Sequence, residues 1–270
     1  MTMNQEKILL LGASGFIGEK IRQKAKENQL DILEFDRFDS NMMEKITSYS
    51  PTTIINAAGS LGKSNFEDAL DANFLHPIRI LNHLNDNKPT NAGEIKWVQL
   101  ASYFEMQIIY GRTDPYSTTK ATFRNYIKLF SPADFKIIIL YLPHIVGLEM
   151  RKDALFPALM QAKKESEFVL NTSGEQYLPV LHVDDCVSGV LSAINSAAGE
   201  YHLTPTWYGE LIELLRLINH FYGLKISATP SLKSVDAEYP KLNFSNRVNN
   251  WDPKVGIEAI LTEFMSGVAN

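Results

Sequence analysis

Apolar residues fall in short continuous runs along the first half of this chain, with longer amphipathic stretches between them. Ile8 to Leu11 is the first run, and it ends in a glycine turn. A run that is apolar at every position suits a strand buried on both faces. Phe16 to Asn28, rich in Glu, Lys, Arg and Gln, predicts a helix, and Leu30 to Phe35 a second strand. Glu44 to Tyr49 reads as a short helix. Thr53 to Asn56 reads as a third strand, closed by Ala57, Ala58 and Gly59. A long helix is predicted over Phe66 to Leu84, a strand over Trp97 to Leu100, a helix over Pro115 to Leu129 and a strand over Lys136 to Leu142.

Strands alternating with helices predict an α/β fold: a Rossmann-like, doubly wound parallel sheet with helices on both faces. Beyond Gly147 the alternation weakens. Asp153 to Lys164 predicts a helix, and Asp184 to Ala197 another, with Asp184 or Asp185 as its N-cap. Trp207 to Phe221 predicts a further helix that stops near Gly223, and Pro253 precedes a final short one. No internal repeat, low-complexity tract or linker separates these segments. They are expected to form a smaller C-terminal lobe, with residues 1–147 plus about 180–200 in the main domain and 148–179 plus 201–270 in the lobe.

Composition narrows the function. A chain of 270 residues with 45% hydrophobic content can bury a large core. The net charge of −5 and the lack of a basic run argue against nucleic acid as a partner, while leaving room for a local cationic pocket. With Cys186 the single cysteine, neither an internal disulfide nor a cysteine zinc site is available. The six histidines show no metal-ligand spacing, so no metal is expected. The N-terminal apolar run is too short for a signal peptide or a membrane span, and Ile137 to Leu142 is strand-sized. The expected location is cytoplasmic, with no membrane partner.

The glycine turn, Gly12-Ala13-Ser14-Gly15-Phe16-Ile17-Gly18, sits between the first strand and the first helix. Glycines allow a tight turn and let a pyrophosphate approach the backbone. The helix N-terminus adds unpaired N–H groups and a favourable dipole. Gly12, Ser14, Gly15, Phe16, Ile17 and Gly18 are therefore candidates for binding a dinucleotide cofactor. Asp36 and Arg37 stand at the end of the second strand. A carboxylate there accepts from adenosine ribose hydroxyls and favours NAD(H), whereas a guanidinium holds a 2′-phosphate and favours NADP(H). The sequence has both, so the choice stays open.

Of eleven tyrosines, Tyr116 alone has a lysine four positions on, Lys120. Positions i and i+4 share a helix face. A nearby ammonium stabilises a phenolate, so Tyr116 can exchange a proton with a carbonyl or hydroxyl while hydride moves to or from a nicotinamide. Ser102 lies just past the predicted strand at Trp97 to Leu100, where open parallel sheets bind ligands. Its hydroxyl can hydrogen-bond the reacting oxygen. Ser102, Tyr116 and Lys120 are the candidate catalytic residues.

These segments together resemble the extended short-chain dehydrogenase/reductase family, the NAD-dependent epimerases and dehydratases. GASGFIG fits its GxxGxxG pattern, INAAG at Ile55 to Gly59 its strand-end NAA segment, PYSTTK its YxxxK motif and Ser102 in QLASY its catalytic Ser/Thr. HVDD at His182 to Asp185 and the terminal WDPKVGIEAI extend the likeness over nearly the whole chain. The resemblance implies an NAD(P)-dependent oxidoreductase acting on a nucleotide sugar, with the main domain binding the dinucleotide and the later lobe the substrate. It implies cofactor contacts from Asn56, Ala57, Ala58, Gly59, Tyr116, Lys120 and Pro143, and substrate contacts from Ser102, Tyr103 and His144.

The family includes epimerases, 4,6-dehydratases and 4-ketoreductases. Its dehydratases carry Asp-Glu directly after the catalytic threonine. Here Tyr103 and Phe104 follow Ser102 and Glu105 comes one position late, which disfavours water elimination. The 14-residue step from Ser102 to Tyr116 is short for epimerases and resembles reductases of CDP-4-keto-6-deoxyhexoses. In Tyr141 to Gly147, His144 replaces the asparagine that typically touches the sugar nucleotide. Leu178 stands where relatives place a pyrophosphate-gripping arginine, leaving Arg151, Lys152 or Arg247 to supply that charge. His182 is expected to be structural. The expected activity is reduction of a 4-keto-(6-deoxy) nucleotide sugar. A nucleotide-sugar epimerase with retained NAD is one alternative, and a non-catalytic dinucleotide-binding regulator is another. Many relatives pair through a four-helix interface that includes the tyrosine-bearing helix, and the apolar residues of Ala121 to Leu129 permit such a homodimer.

Overall fold

The computed structural model describes residues 6–62, 65–87, 93–106, 108, 114–130, 134–159, 167–170, 174–223, 227–230 and 242–267. The apolar runs are strands: β1 (Lys7–Leu11), β2 (Asp31–Phe35), β3 (Thr53–Asn56), β4 (Ile95–Ser102) and β5 (Phe135–Leu142). With β9 (Gly199–His202) they form one parallel sheet in the order β2-β1-β3-β4-β5-β9. Leu9, Leu10, Leu11, Ile54 and Ile55 are wholly buried, as strands covered on both faces require. The strand order reverses between β1 and β3. The carboxyl ends of these two strands flank the crevice where such sheets take their ligands.

The helices of this half are α1 (Phe16–Glu27), α2 (Met42–Tyr49), α3 (Phe66–Leu70), α4 (His76–Asp86), α5 (Tyr103–Met106) and α6 (Pro115–Ile127). α1 buries Ile21 and Ala25, one turn apart on one face. Ile80 and Leu81 of α4 and Phe123 and Ile127 of α6 join Leu9, Ile54 and Trp97 in the core. The predicted long helix is interrupted by a π-helical turn over Asp71–Leu75. Pro77, at the start of α4, has no N–H to return to the preceding turn, which accounts for a widened turn there. Ser102 is the last residue of β4, paired in register with Leu142, and not one beyond the strand.

The chain divides into two compact units. One comprises Met1–Leu142, Val187–Leu203 and Asn246–Trp251, and the other Pro143–Cys186, Thr204–Ser245 and Asp252–Asn270. In the second unit β6 (His144–Val146) runs parallel to β8 (Tyr177–His182), and β10 (Trp207–Glu210) runs antiparallel to β8 on its other side. β7 (Glu167–Leu170) pairs with β11 (Ser227–Pro230). The remaining helices are α7 (described over 155–159), α8 (Val183–Ala193), α9 (Leu211–Tyr222) and α10 (Ile257–Gly267). The architecture is the expected Rossmann-like doubly wound sheet with a smaller second unit.

Two expectations change here. Trp207–Glu210 is a strand, and the helix starts only at Leu211, where Glu210 and Glu213 form a reciprocal capping box. Aromatic Trp207 and Tyr208 suit the pleated surface they share with Val180 and Pro179. Neither Asp184 nor Asp185 caps α8, which begins at Val183. The Asp184 N–H instead donates to His182 Nδ1 at 3.3 Å, and buried Asp185 accepts from the N–H groups of Lys254 and Val255 at 2.9 and 2.8 Å. Of the helix predicted over Asp153 to Lys164, residues 155–159 are helical and 160–164 lie outside the described residues.

Candidate active site

The glycine turn is built by close backbone approach. Gly12 has φ +79°, and a Cβ on it would lie 2.7 Å from the Ala58 backbone. A Cβ on Gly18 would lie 1.9 Å from the Gly12 carbonyl oxygen. Gly15 caps α1 without a side-chain acceptor, which leaves the first-turn N–H groups to an anion. Ser14 and Gly15 are exposed, while Phe16 and Ile17 are half-buried in that first turn. A cleft of about 230 Å³ opens here, lined by the glycine turn, Asp36, Arg37 and the Ala57 to Ser60 segment. Bare backbone, a free helix N-terminus and an acidic strand end fit a dinucleotide.

The end of β2 is already engaged. Asp36 accepts from the Ser14 N–H at 3.1 Å, tying the strand end to the turn. Arg37 meets Asp68 at 2.5 Å and Asp71 at 3.4 Å, and its guanidinium lies 4.5 Å over the Phe38 ring. The Ser60 hydroxyl, and after it Arg37, hold the Asp68 carboxyl below the ordinary carboxylate range. Phe38 itself is 84% exposed at this cleft. The Asn56 side chain turns into the sheet, donating to Gln99 Oε1 at 2.8 Å and accepting from the Ala58 N–H at 3.2 Å. It shapes the Ala57–Gly59 segment from beneath.

The Tyr–Lys helix is fixed at its start. Asp114 accepts from the Ser117 N–H at 2.9 Å and from its hydroxyl at 2.8 Å, with Pro115 in the first turn. Lys120 Nζ lies 5.7 Å from the Tyr116 ring centroid and 3.6 Å from where a Gly59 Cβ would be. Tyr116, Lys120 and the Gly59 segment thus converge. Asn73, in the π turn, ties the same parts together. It accepts from the Ser60 N–H and donates to the Ser60 carbonyl, each at 2.8 Å, and donates to Thr119 Oγ1 at 2.9 Å. Burial pushes Lys120 below the ordinary lysine range, and Glu105 opposes that shift.

Ser102 is buried, and its hydroxyl accepts from the Phe104 N–H at 3.2 Å. The Ser102 N–H donates to Glu105 Oε1 at 2.8 Å. Burial raises the Glu105 carboxyl above the usual range, opposed by Lys120, the Ser102 N–H and Arg124. Tyr103 is buried with its ring 4.1 Å from that of Phe104.

Pro143 and His144 belong to the second unit. His144 Nε2 is buried without a hydrogen-bond partner, and its ring stacks on Phe156 at 6.4 Å. Burial, then Arg151, pushes its pKa down to about 4. Leu178 is buried in β8 opposite Gly209. Arg151 pairs with Asp153 at 3.4 Å, and Lys152 and Arg247 are exposed. His182 is buried, with Nε2 2.8 Å from Glu263. Burial pushes the Cys186 thiol up. Among the described residues no cluster of three or more His, Cys, Asp or Glu side chains is placed to hold a metal ion, and no helix is long and apolar enough to cross a membrane.

Asn73 and Phe38 are site residues that sequence reasoning passed over, and Glu105, which the sequence raises only against water elimination, joins them through its contacts with Ser102 and Arg124. Asn73 carries a faint signal, a polar residue in step with the buried Ala69 and His76 on one helix face.

Comparison with known proteins places these features. The chain is 25% identical over 219 residues to CDP-abequose synthase of Yersinia pseudotuberculosis, covering 72% of this chain and 75% of that one. It superposes on UDP-glucose 4-epimerase from Thermotoga maritima with a TM-score of 0.81 at 18% identity, covering 97% and 98% of the two chains. For UDP-glucuronic acid 4-epimerase from Bacillus cereus, in complex with UDP-glucuronic acid and NAD, the TM-score is 0.80 at 17% identity, with 97% and 99% covered. The model of the NAD dependent epimerase/dehydratase family matches residues 8–203, from β1 to the residue after β9. The chain therefore belongs to that family and is an NAD(P)-dependent enzyme of the extended short-chain dehydrogenase/reductase type.

Proposed function

We propose that this enzyme reduces the 4-keto group of a 4-keto-(6-deoxy) nucleotide sugar, with the first unit binding the dinucleotide and the second the sugar nucleotide. The observation that carries this reading is the position of Lys120 Nζ, beside both the Tyr116 ring and the Gly59 segment of the glycine-turn cleft. The reduced dinucleotide, when bound there, supplies hydride to the carbonyl carbon. Tyr116 gives its hydroxyl proton to the carbonyl oxygen, so that the product is the alcohol. Lys120, as an ammonium, makes that hydroxyl more acidic. Ser102 hydrogen-bonds the oxygen and orients it.

Two observations support reduction over other family reactions. The curated relative is a synthase of a CDP-sugar. Glu105, the carboxylate nearest after Ser102, is turned back onto the Ser102 N–H and buried, so it is poorly placed as an acid or base for water elimination. The commitment of Arg37 to Asp68 and Asp71 supports NAD(H) over NADP(H). Epimerisation with retained NAD is the second reading, favoured by the likeness to two 4-epimerases.

The test is a panel of 4-keto-6-deoxy nucleotide sugars and of nucleotide hexoses, each offered with NADH and with NADPH. One coenzyme oxidised per product formed supports the reductase. Interconversion of hexoses with no net coenzyme consumption, and NAD carried through purification, overturns it in favour of the epimerase.

A further inference from the structure

On α5, packed against the helix that carries Tyr116 and Lys120, lies a carboxylate that the proposed reaction leaves unused. Glu105, on the short α5, is 2% exposed. Its Oε1 accepts from the Ser102 N–H at 2.8 Å, while Oε2 is buried with no hydrogen-bond partner, 3.6 Å from Arg124 Nε. A buried carboxylate half-satisfied in this way is costly unless opposite charge stands near. That charge comes from α6, in Arg124 at 3.6 Å, with Lys120 one turn before it on the same helix face.

Lys120 has the converse need. It is 7% exposed, and an ammonium so placed requires a counter-charge. Tyr116 and Arg124 are the ionisable neighbours on its own helix, one turn to either side. The elements facing it across the fold bring the uncharged Gly59 and, next to Lys120 on α6, the uncharged Thr119–Asn73 pair. Among the described residues Glu105, from α5, is the group whose charge acts on it. Glu105 in turn feels Lys120 and Arg124 from α6 and, repulsively, Glu200 from β9. Glu200 is itself occupied, accepting from Tyr141 at 2.6 Å and pairing with Lys128, while Arg124 donates to the Tyr141 hydroxyl.

We propose that Glu105 is a positioning residue that fixes Ser102 through its backbone N–H and supplies the counter-charge that keeps Lys120 an ammonium while Tyr116 gives up its proton. This inference rests on the reading of Tyr116 as proton donor. Without the carboxylate, Lys120 loses its proton more readily, and the Tyr116 hydroxyl becomes a poorer acid.

The test follows Lys120 itself. Full-length protein labelled with [13Cε]lysine is titrated by NMR without substrate, and the Lys120 signal is identified by its loss in Lys120→Met. In Glu105→Gln, which keeps the side-chain shape, the Lys120 midpoint should fall by about one pH unit or more. Glu105→Asp, which keeps the charge, should restore most of that shift. The coupling is mutual. In [13Cδ]glutamate-labelled Lys120→Met the Glu105 carboxyl should therefore titrate higher by a similar amount, a measurement that leaves position 105 unchanged. Turnover of Glu105→Gln should drop at least tenfold, with recovery in Glu105→Asp. Unmoved midpoints in both titrations overturn the proposal, and a loss of thermal stability alone marks Glu105 as structural. Full turnover in Tyr116→Phe would instead sink the reading of the site, a failure separable from the substrate-free titration.

Discussion

Gly18 has no room for one more carbon. A Cβ there would lie 1.9 Å from the Gly12 carbonyl oxygen and 2.9 Å from its carbonyl carbon, both backbone atoms that cannot swing aside. Gly18→Ala should therefore distort the turn, destabilise the chain by on the order of 3 kcal/mol and abolish coenzyme binding. At Gly15 the nearest atom is the same oxygen at 3.3 Å, and the backbone is extended with φ −74°. Gly15→Ala should fold within about 1 kcal/mol of the parent and keep measurable coenzyme affinity. Chemical denaturation and coenzyme titration of the two variants read the contrast. Equal losses in both would show that the turn is not packed as described. The Tyr116 hydroxyl is tested with the same economy. Tyr116→Phe keeps the ring beneath Lys120 and removes the proton, so turnover should fall by roughly 10²- to 10⁴-fold while coenzyme affinity stays within a few-fold. Near-parental turnover would remove the proton-donor role.

At the scale of elements, the end of β2 meets α3 and the π turn through Arg37, Asp68 and Asp71. Two carboxylates on one guanidinium leave little of its charge for a 2′-phosphate. Asp68→Asn removes the nearer carboxylate, so affinity for NADPH should rise several-fold relative to NADH. Fluorescence titration with both coenzymes gives the ratio, and an unchanged ratio would mean that Arg37 does not face the 2′ position. The strands of this half were legible because a strand buried on both faces is apolar at every position, as Leu9 to Leu11 and Ile54 to Ile55 are. The π turn was not legible, since the apolar spacing runs on through Asp71–Leu75 and only Pro77 hints at the break. β10 was misread because Trp207 to Phe221 fits a helical spacing throughout. What makes Trp207–Glu210 a strand is its partner β8, some thirty residues earlier (Trp207 opposite Val180). β7 and β11, four residues each, rest on pairing across an even longer separation. The site divides the same way. The glycine turn and the tyrosine–lysine spacing are local patterns, whereas Asn73 and Glu105 acquire their partners, Thr119 and Arg124, only through the fold.

Across the whole molecule, His76, His144 and His202 contribute to the response to acid. Burial, then Arg151, depresses His144 from 6.5 to about 4 in the folded chain, so it is neutral there at pH 5 while its unfolded counterpart is protonated. His76 and His202 are lowered by burial in the same direction. A group whose folded pKa is depressed contributes its full stability above the unfolded value and loses it as pH falls through the folded one. For His144 that window runs from 6.5 down to about 4, and the loss across it amounts to at most about 3 kcal/mol. Glu105 acts with the opposite sign, because its carboxyl is raised by burial and takes a proton more easily folded than unfolded. It therefore softens the acid loss. The unfolding midpoint should fall steadily between pH 6.5 and 4, and the fall should be shallower in His144→Asn, whose amide does not titrate. Thermal unfolding of both proteins over that range decides the matter. Parallel curves would show that His144 takes up its proton in the folded state, and with it that the pocket around Phe156 admits water.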